Sequence, residues 1–115
     1  MNIIIEQQHR VTIVRPTGFV DAETAKPLAE ALNGQLQAGN LSLVVDLEAL
    51  DYMSSAGLRV LLAVLKDARR QGGDLRMANA KAAVQQVLDM SGFAKLIQVY
   101  PTLAEAVDSY GATGA

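Results

Sequence analysis

The chain has 115 residues, half of them hydrophobic, and a formal net charge of −2 at pH 7. This length fits one compact domain, expected at residues 3–110, with a frayed tail at 111–115. The ten Lys and Arg are scattered and tryptophan is absent, which argues against direct nucleic-acid binding. No apolar run approaches the ~20 residues of a membrane helix, so we expect a cytoplasmic protein without membrane contact. The lack of cysteine excludes disulfides, thiol catalysis and thiolate metal sites.

The first third of the chain predicts a β-hairpin followed by a helix. Residues 3–7 and 11–16 are β-branched segments separated by a short polar turn, as in a hairpin. After a break at 17–21, apolar residues follow helical spacing from about Thr24. Pro27 then lies in the first turn, where its missing N–H is harmless, and the glycine at position 39 ends the helix.

A strand and a helix meet at a pair of serines in the middle of the chain. Residues 41–47 form a nearly continuous apolar run, typical of a strand covered on both faces. Serine is a preferred N-cap, so Ser54 and Ser55 either cap the helix or carry a functional hydroxyl. The apolar face predicted for this helix consists of Leu58, Leu61, Leu62 and Leu65.

The remaining elements are shorter. Residues 74–78 predict a strand, and Asn79 is expected to cap a helix that closes at Gly92 in a left-handed conformation. Residues 96–100 predict one more short strand. The Thr and Glu at 102 and 105 are spaced as a capping box, which predicts a final helix.

This order of elements indicates an α/β fold with parallel crossovers. Such crossovers begin at the carboxyl ends of the strands, so the loops at 18–21, 47–55 and 79–81 should converge on one edge of the sheet. Ligands and partners of open α/β sheets usually meet that edge. The polar residues expected to be neighbours there are Asp21, Ser54, Ser55 and Asn79.

An enzyme is not indicated. The lone histidine, His9, lies in the predicted hairpin turn far from the serines, and no Gly-x-Ser-x-Gly elbow or phosphate-binding P-loop is present. Asp46, Glu48 and Asp51 alternate with apolar residues and predict a solvated loop rather than a metal site. We therefore expect no catalytic residue, no metal and no cofactor.

Four segments resemble one protein family. They are Gly-Phe-Val-Asp at 18–21, Val-Val-Asp-Leu at 44–47, Tyr-Met-Ser-Ser-Ala-Gly-Leu at 52–58, and the helix with its Gly-Phe end at 79–93. Together they are similar to the STAS domain of bacterial anti-sigma factor antagonists, over about residues 3–107. The resemblance implies a central mixed sheet of four to five strands, flanked by about four helices that lie mostly on one side.

The resemblance also implies a phosphorylation switch. In this family an anti-sigma factor that is also a serine kinase phosphorylates a serine at the start of the helix, and the unphosphorylated form binds it and frees the sigma factor. A phosphoserine phosphatase resets the switch. Aligned on Gly57 and Leu58, the acceptor is Ser55. Ser54 stands where the family usually has Asp, so it is the second candidate, and Asp21 matches an acidic residue near the acceptor.

The implied partner surface surrounds the serines, on a monomer or weak dimer. Burial is expected for Met53, Leu58 and Met90, although an exposed apolar patch is the alternative, and Arg59 is expected to be solvated unless it contacts the partner. A second function remains open: a STAS scaffold or sensor that binds a kinase, a phosphatase or a small ligand without sigma-factor control. The expected partner-binding residues are Asp21, Met53, Ser54, Ser55, Gly57, Leu58, Arg59 and Asn79.

Overall fold

The computed structural model describes residues 1–111, so most of the tail predicted at 111–115 lies outside the described residues. The described chain forms seven strands and four α-helices. In chain order they are β1 (Ile3–Gln8), β2 (Val11–Pro16), β3 (Gly18–Val20), α1 (Ala25–Gln37), β4 (Ser42–Asp46), β5 (Leu50–Met53), α2 (Ser55–Arg70), β6 (Asp74–Ala78), α3 (Ala82–Met90), β7 (Val99–Tyr100) and α4 (Leu103–Asp108), with a 3-10 turn at Phe93–Lys95 before β7.

Five strands form the main sheet, in the order β1-β2-β4-β6-β7. The first two strands are the predicted antiparallel hairpin, whose two-residue turn places His9 and Arg10 at φ 49° and 69°. The other neighbouring pairs in the sheet are parallel. The mixed sheet of five strands and its four helices confirm the predicted α/β class.

Strand β4 runs through the middle of the core. Its side chains alternate between the two faces of the sheet, so Leu43 and Val45 pack in one hydrophobic cluster and Val44 in another. The first cluster includes apolar residues of α1, α2 and α3, and the second includes Ala106 and Val107 of α4. The prediction of a strand covered on both faces is confirmed, with three helices on one side and one on the other.

Two strands were missed by the sequence analysis. Strands β3 and β5 pair in parallel as a separate two-stranded sheet, in the segments that were predicted to be loops. They have three and four residues, too few for an alternating pattern to be recognised. The strand predicted at 96–100 is shorter than expected and covers Val99–Tyr100, because the N–H groups of Leu96 and Ile97 still donate to the Phe93 carbonyl of the preceding turn.

The buried face of α2 differs from the prediction. Leu61 and Leu65 are buried as expected, but Leu58 and Leu62 are only partly buried. The helix is rotated toward the side of Gly57, which has no side chain and lets α2 approach β3 closely. The buried residues of α2 are Gly57, Leu61, Val64, Leu65 and Ala68.

The predicted cap of α3 was wrong, whereas two other predicted termini are confirmed. Lys81, not Asn79, occupies the N-cap position of α3, because Asn79 adopts a left-handed φ of 59°. Gly92 has the expected left-handed φ of 77° after α3. At α4, Thr102 Oγ1 accepts a hydrogen bond of 3.1 Å from the Glu105 N–H, as a capping box requires.

Candidate functional site

The loops that were predicted to converge do meet at one edge of the domain. The Ser54 N–H donates to the Val20 carbonyl oxygen at 2.8 Å, which joins the start of α2 to the end of β3. Lys81 Nζ and Asp51 Oδ1 form an ion pair at 2.6 Å, which joins the loop after β6 to β5. The two serines therefore lie where three connections of the chain come together.

Ser55 presents its hydroxyl on the surface. It is the first residue of α2 and is exposed. One turn further along the helix, Arg59 is also exposed, and its Nη2 lies 3.5 Å from Ser55 Oγ. Ser55 thus combines an accessible hydroxyl with a neighbouring cation at the start of a helix.

Ser54 has a different environment. It occupies the N-cap position with extended backbone angles, φ −91° and ψ 175°, and its carbonyl accepts from the Leu58 N–H at 3.2 Å. Its Oγ makes no capping hydrogen bond; this atom is buried and has no hydrogen-bond partner within residues 1–111. The capping explanation therefore applies to the position of Ser54 and not to its side chain.

Gly57 and Met53 support the site from beneath. A Cβ added at Gly57 would lie 2.8 Å from Val20 Cγ1 and 2.9 Å from Met53 Cγ, closer than side-chain atoms approach one another. Met53 is 1% exposed. The burial expected for Met53 is confirmed, and both residues are packed between α2 and β3 rather than presented on the surface.

Asp21 fastens the loop between β3 and α1. Its Oδ1 accepts hydrogen bonds from the backbone N–H groups of Glu23 at 2.9 Å and Thr24 at 3.0 Å. The backbone hydrogen bond from Thr24, together with that from Glu23, holds the pKa of the Asp21 carboxyl below its ordinary value. Asp21 directly follows Val20, the residue bonded to Ser54, so it lies beside the serines as a carboxylate.

The predicted solvated loop at Asp46 was wrong for that residue. Asp46 is 1% exposed, and its carboxylate accepts from Arg15 Nε at 2.9 Å and from Asn79 Nδ2 at 3.1 Å. Because an unpaired buried charge is costly, this network explains how a carboxylate is retained at the end of β4. Glu48 and Asp51 are exposed, as expected. Asn79 holds the loop after β6 through its contact with Asp46.

An aromatic pair near the serines was missed as a surface feature. Phe19 and Tyr52 are register partners of β3 and β5, and each is 52% exposed. Partners in a parallel pair point to the same face of the sheet, so the two rings form one exposed patch. In β5, Leu50 and Met53 are buried and the two residues between them are exposed, so the strand has no alternating pattern. The patch is recognised from the pairing of β5 with β3.

A shallow apolar groove adjoins Ser55. Its volume is about 260 Å³, and it runs between the start of α2 and the 3-10 turn after α3. Met90, just before this turn, is 80% exposed, which corrects the expectation of burial, and Leu96 is 51% exposed. The residues that line the groove are Ser55, Leu58, Arg59, Leu62, Ser91, Phe93 and Leu96.

Within residues 1–111, the serines have no histidine beside them and no metal site near them. His9 lies in the hairpin turn that precedes β2, and β2 runs parallel to β4, so His9 is at the opposite edge of the sheet from the serines. No group of His, Asp or Glu side chains in residues 1–111 is arranged to hold a metal ion. Within the same range, every helix is too short or too polar to cross a membrane.

The fold and the site together define a small α/β domain with an exposed serine hydroxyl at the start of a helix. The STAS domain family model matches residues 2–106. BtrV of Bordetella bronchiseptica is 35% identical over 99 residues, covering 86% of this chain and 85% of BtrV. The anti-sigma F factor antagonist of Paenibacillus polymyxa is 31% identical over 110 residues, 93% of this chain and 94% of that protein. An anti-sigma factor antagonist structure from Mycobacterium paratuberculosis has a TM-score of 0.86 at 27% identity, covering 94% of this chain and 92% of its own.

The chain therefore belongs to the STAS domain family. The family expected from the four sequence segments is confirmed.

Proposed function

We propose that the chain is an anti-sigma factor antagonist switched by phosphorylation of Ser55. Its unphosphorylated form binds an anti-sigma factor that is also a serine kinase, and so frees the sigma factor. Phosphorylation by that kinase ends the binding, and a phosphoserine phosphatase restores it. Support comes from the relative in Paenibacillus polymyxa, which is named as an anti-sigma F factor antagonist and is matched over nearly the full length of both chains.

The difference between the two serines is the observation that carries the proposal. A kinase must reach the hydroxyl that it modifies. Ser55 is exposed on the first turn of α2, whereas Ser54 Oγ is buried beneath it. This supports Ser55 as the acceptor over Ser54, in agreement with the family alignment.

The environment of Ser55 accommodates a phosphate without unfolding. The first N–H groups of a helix lack helical partners, and the dipole favours negative charge there. The phosphate adds roughly −1.5 to −2 charges. It joins an edge that already carries the exposed carboxylates of Glu48 and Asp51 and the ionised Asp21. The modification therefore changes the charge of the surface rather than the packing.

Exposed apolar groups on the elements that lead to and from Ser55 supply a contact surface. The exposed rings of Phe19 and Tyr52 lie at the strand pair that leads to the serines, and Leu58 and Leu96 line the groove on the helix side. Aromatic side chains dominate binding energy at many interfaces. A partner seated on both would exclude water around Ser55, where a dianion is costly to bury.

The test is a titration with the purified serine-kinase anti-sigma factor of the same bacterium. Ser55→Ala should bind as tightly as the wild-type chain and resist phosphorylation, and Ser54→Ala should bind and still be phosphorylated. Ser55→Asp should bind at least about tenfold more weakly, which corresponds to about 1.4 kcal/mol. Equal affinities of Ser55→Ala and Ser55→Asp would contradict the proposal.

The alternative, a scaffold or sensor without sigma-factor control, is distinguished by what the partner releases. The anti-sigma factor is first loaded with its sigma factor, and the unphosphorylated chain is then added. Release of the sigma factor supports the antagonist. A ternary complex in which the sigma factor stays bound would favour the scaffold.

A further inference from the structure

The outer strand β1 exposes an apolar edge. It begins with three consecutive isoleucines, of which Ile4 is 52% and Ile5 is 41% exposed. Natural proteins usually protect such edges with charges, prolines or bulges, because unpaired backbone groups bind other strands. The first charge in β1 is Glu6, and it is already paired with Arg15 at 2.9 Å. This part of the edge is thus unprotected.

The hydrogen-bonding pattern between β1 and β2 shows which backbone N–H and C=O groups of β1 are free to pair with another strand. The Thr17 N–H donates to the Asn2 carbonyl at 2.9 Å, and Asn2 would be the next register partner of Thr17. In an antiparallel ladder, hydrogen-bonded pairs alternate with non-bonded pairs. The even-numbered residues of β1 therefore bond to β2, and the N–H and C=O groups of Ile3 and Ile5 point away from the sheet.

We propose that β1 binds β1 of a second copy, antiparallel, around a twofold axis at Ile4. In this register Ile4 lies opposite Ile4 of the other copy, Ile3 lies opposite Ile5, and Glu6 lies opposite Asn2. All isoleucines then meet isoleucines, and no like charges are opposed. A register centred on Glu6 would oppose two carboxylates. Because the edge is complementary to itself in this register, the partner that it fits is a second copy of the chain. The two five-stranded sheets then join into one continuous sheet.

Single cysteines test this register, because the chain has none of its own. Opposite residues in a non-bonded antiparallel pair have Cα atoms about 4.5 Å apart, which a disulfide spans. Ile4→Cys should form a disulfide-linked dimer under mild oxidation. Gln8→Cys, at the exposed end of β1, faces no residue in this register and should remain a monomer.

Sedimentation of chains without a cross-link provides the second measurement. The wild-type chain should form dimers as its concentration rises, and Ile4→Lys should shift that equilibrium toward the monomer at least tenfold. A wild-type chain that is monomeric up to its solubility limit would overturn the proposal. Equal cross-linking of Ile4→Cys and Gln8→Cys would do the same.

A separate observation concerns Arg59. Its Nη2 lies 3.5 Å from Ser55 Oγ, one helical turn away, and both residues are exposed. None of the ion pairs within residues 1–111 involves Arg59. The guanidinium is therefore free to change partners when the hydroxyl changes.

We infer that Arg59 binds the phosphate once Ser55 is phosphorylated, an inference that rests on the proposed acceptor role of Ser55. A guanidinium matches the geometry of a phosphate through two parallel N–H donors, which lysine does not provide. The switch then acts twice on the surface: it adds a phosphate, and it withdraws the cation that an acidic residue of the partner would otherwise contact.

The test installs phosphoserine at position 55 by genetic encoding, so that no kinase is needed. The second pKa of a phosphoserine is about 6. Because Arg59 stabilises the dianion, Arg59→Gln should raise this pKa by a few tenths of a unit in a phosphorus NMR titration. Arg70→Gln, at the other end of α2, should leave it unchanged.

Identical titrations of the wild-type and Arg59→Gln chains would overturn this inference. They would not affect the proposed function, which depends on the titration with the anti-sigma factor. Conversely, if the chain does not bind the anti-sigma factor, the phosphorus NMR titration still measures the contact between the phosphate at position 55 and Arg59.

Discussion

The first turns of α2 have a buried side, at Gly57, and an exposed side, at Ser55 and Arg59. We call these the buried half and the exposed half; packing holds the first in place, and the second faces solvent. On the buried half, Gly57 is in close contact with Val20 and Met53, and no side chain is available to a partner. On the exposed half, Ser55 and Arg59 face solvent, and Arg59 Nη2 lies 3.5 Å from Ser55 Oγ. The switch proposed at Ser55 is therefore compatible with a stable fold: the packing of the buried half fixes the position of the hydroxyl, and a charge added on the exposed half leaves that packing intact.

Two carboxylates test this division most strongly. Asp46 is buried and bonded to Arg15 and Asn79, whereas Asp51 is exposed and paired with Lys81. Asp46→Ala should reduce the free energy of unfolding by about 2 kcal/mol, because Arg15 Nε and the Asn79 amide lose their shared buried acceptor while Arg15 keeps its ion pair with Glu6. Asp51→Ala should change it by less than about 0.5 kcal/mol. Urea unfolding measures both, and losses of similar size would show that the division does not hold.

Two glycines provide the next test, because both lie within helices. Gly57→Ala should cost about 1 to 3 kcal/mol, since the new Cβ would lie 2.8 Å from the stiff Val20 side chain. At Gly34, in the middle of α1, a Cβ meets nothing within 4 Å. Gly34→Ala should stabilise the chain by up to about 1 kcal/mol through helix propensity. Thermal unfolding measures both changes, and a stabilising Gly57→Ala would contradict the close approach of α2 to β3.

The sequence predicted the elements that form the site better than the contacts between those elements. Regular spacing was enough to place the strands of the main sheet and the serines at a helix start. The burial of Asp46 depends on Arg15, which is 31 residues away and belongs to a different strand. The pairing of Phe19 with Tyr52 joins two strands that are each too short to form a pattern. Both features arise from tertiary contacts, which a local pattern does not contain.

The two serines should differ in their contribution to the free energy of unfolding as well as in their exposure to a kinase. Replacing a serine N-cap by alanine typically costs about 1 kcal/mol, because a capping hydrogen bond is lost. Ser54 Oγ makes no such bond and is buried, so Ser54→Ala should range from no change to a gain of about 1 kcal/mol. Ser55→Ala should be neutral. A loss near 1 kcal/mol for Ser54→Ala would show that its hydroxyl caps α2 in solution.

Asp21 follows β3, next to the start of α2 and between its buried and exposed halves. Its contribution to the free energy of unfolding should depend on pH. Its pKa is lower in the folded chain than the ordinary value of 3.8, because the backbone N–H groups of Thr24 and Glu23 bond to the carboxylate. A lowered pKa means that the stabilisation is fully present above the ordinary value and is lost as the pH falls through the folded-state pKa. Asp21→Asn retains an acceptor oxygen but does not titrate. The wild-type chain should therefore lose stability relative to Asp21→Asn as the pH is lowered from 6 to about 3. Urea midpoints of the two chains measure this difference, in which other acid-sensitive groups cancel. A difference that stays constant with pH would show that the carboxylate does not hold the loop, and that Asp21 belongs entirely to the exposed half.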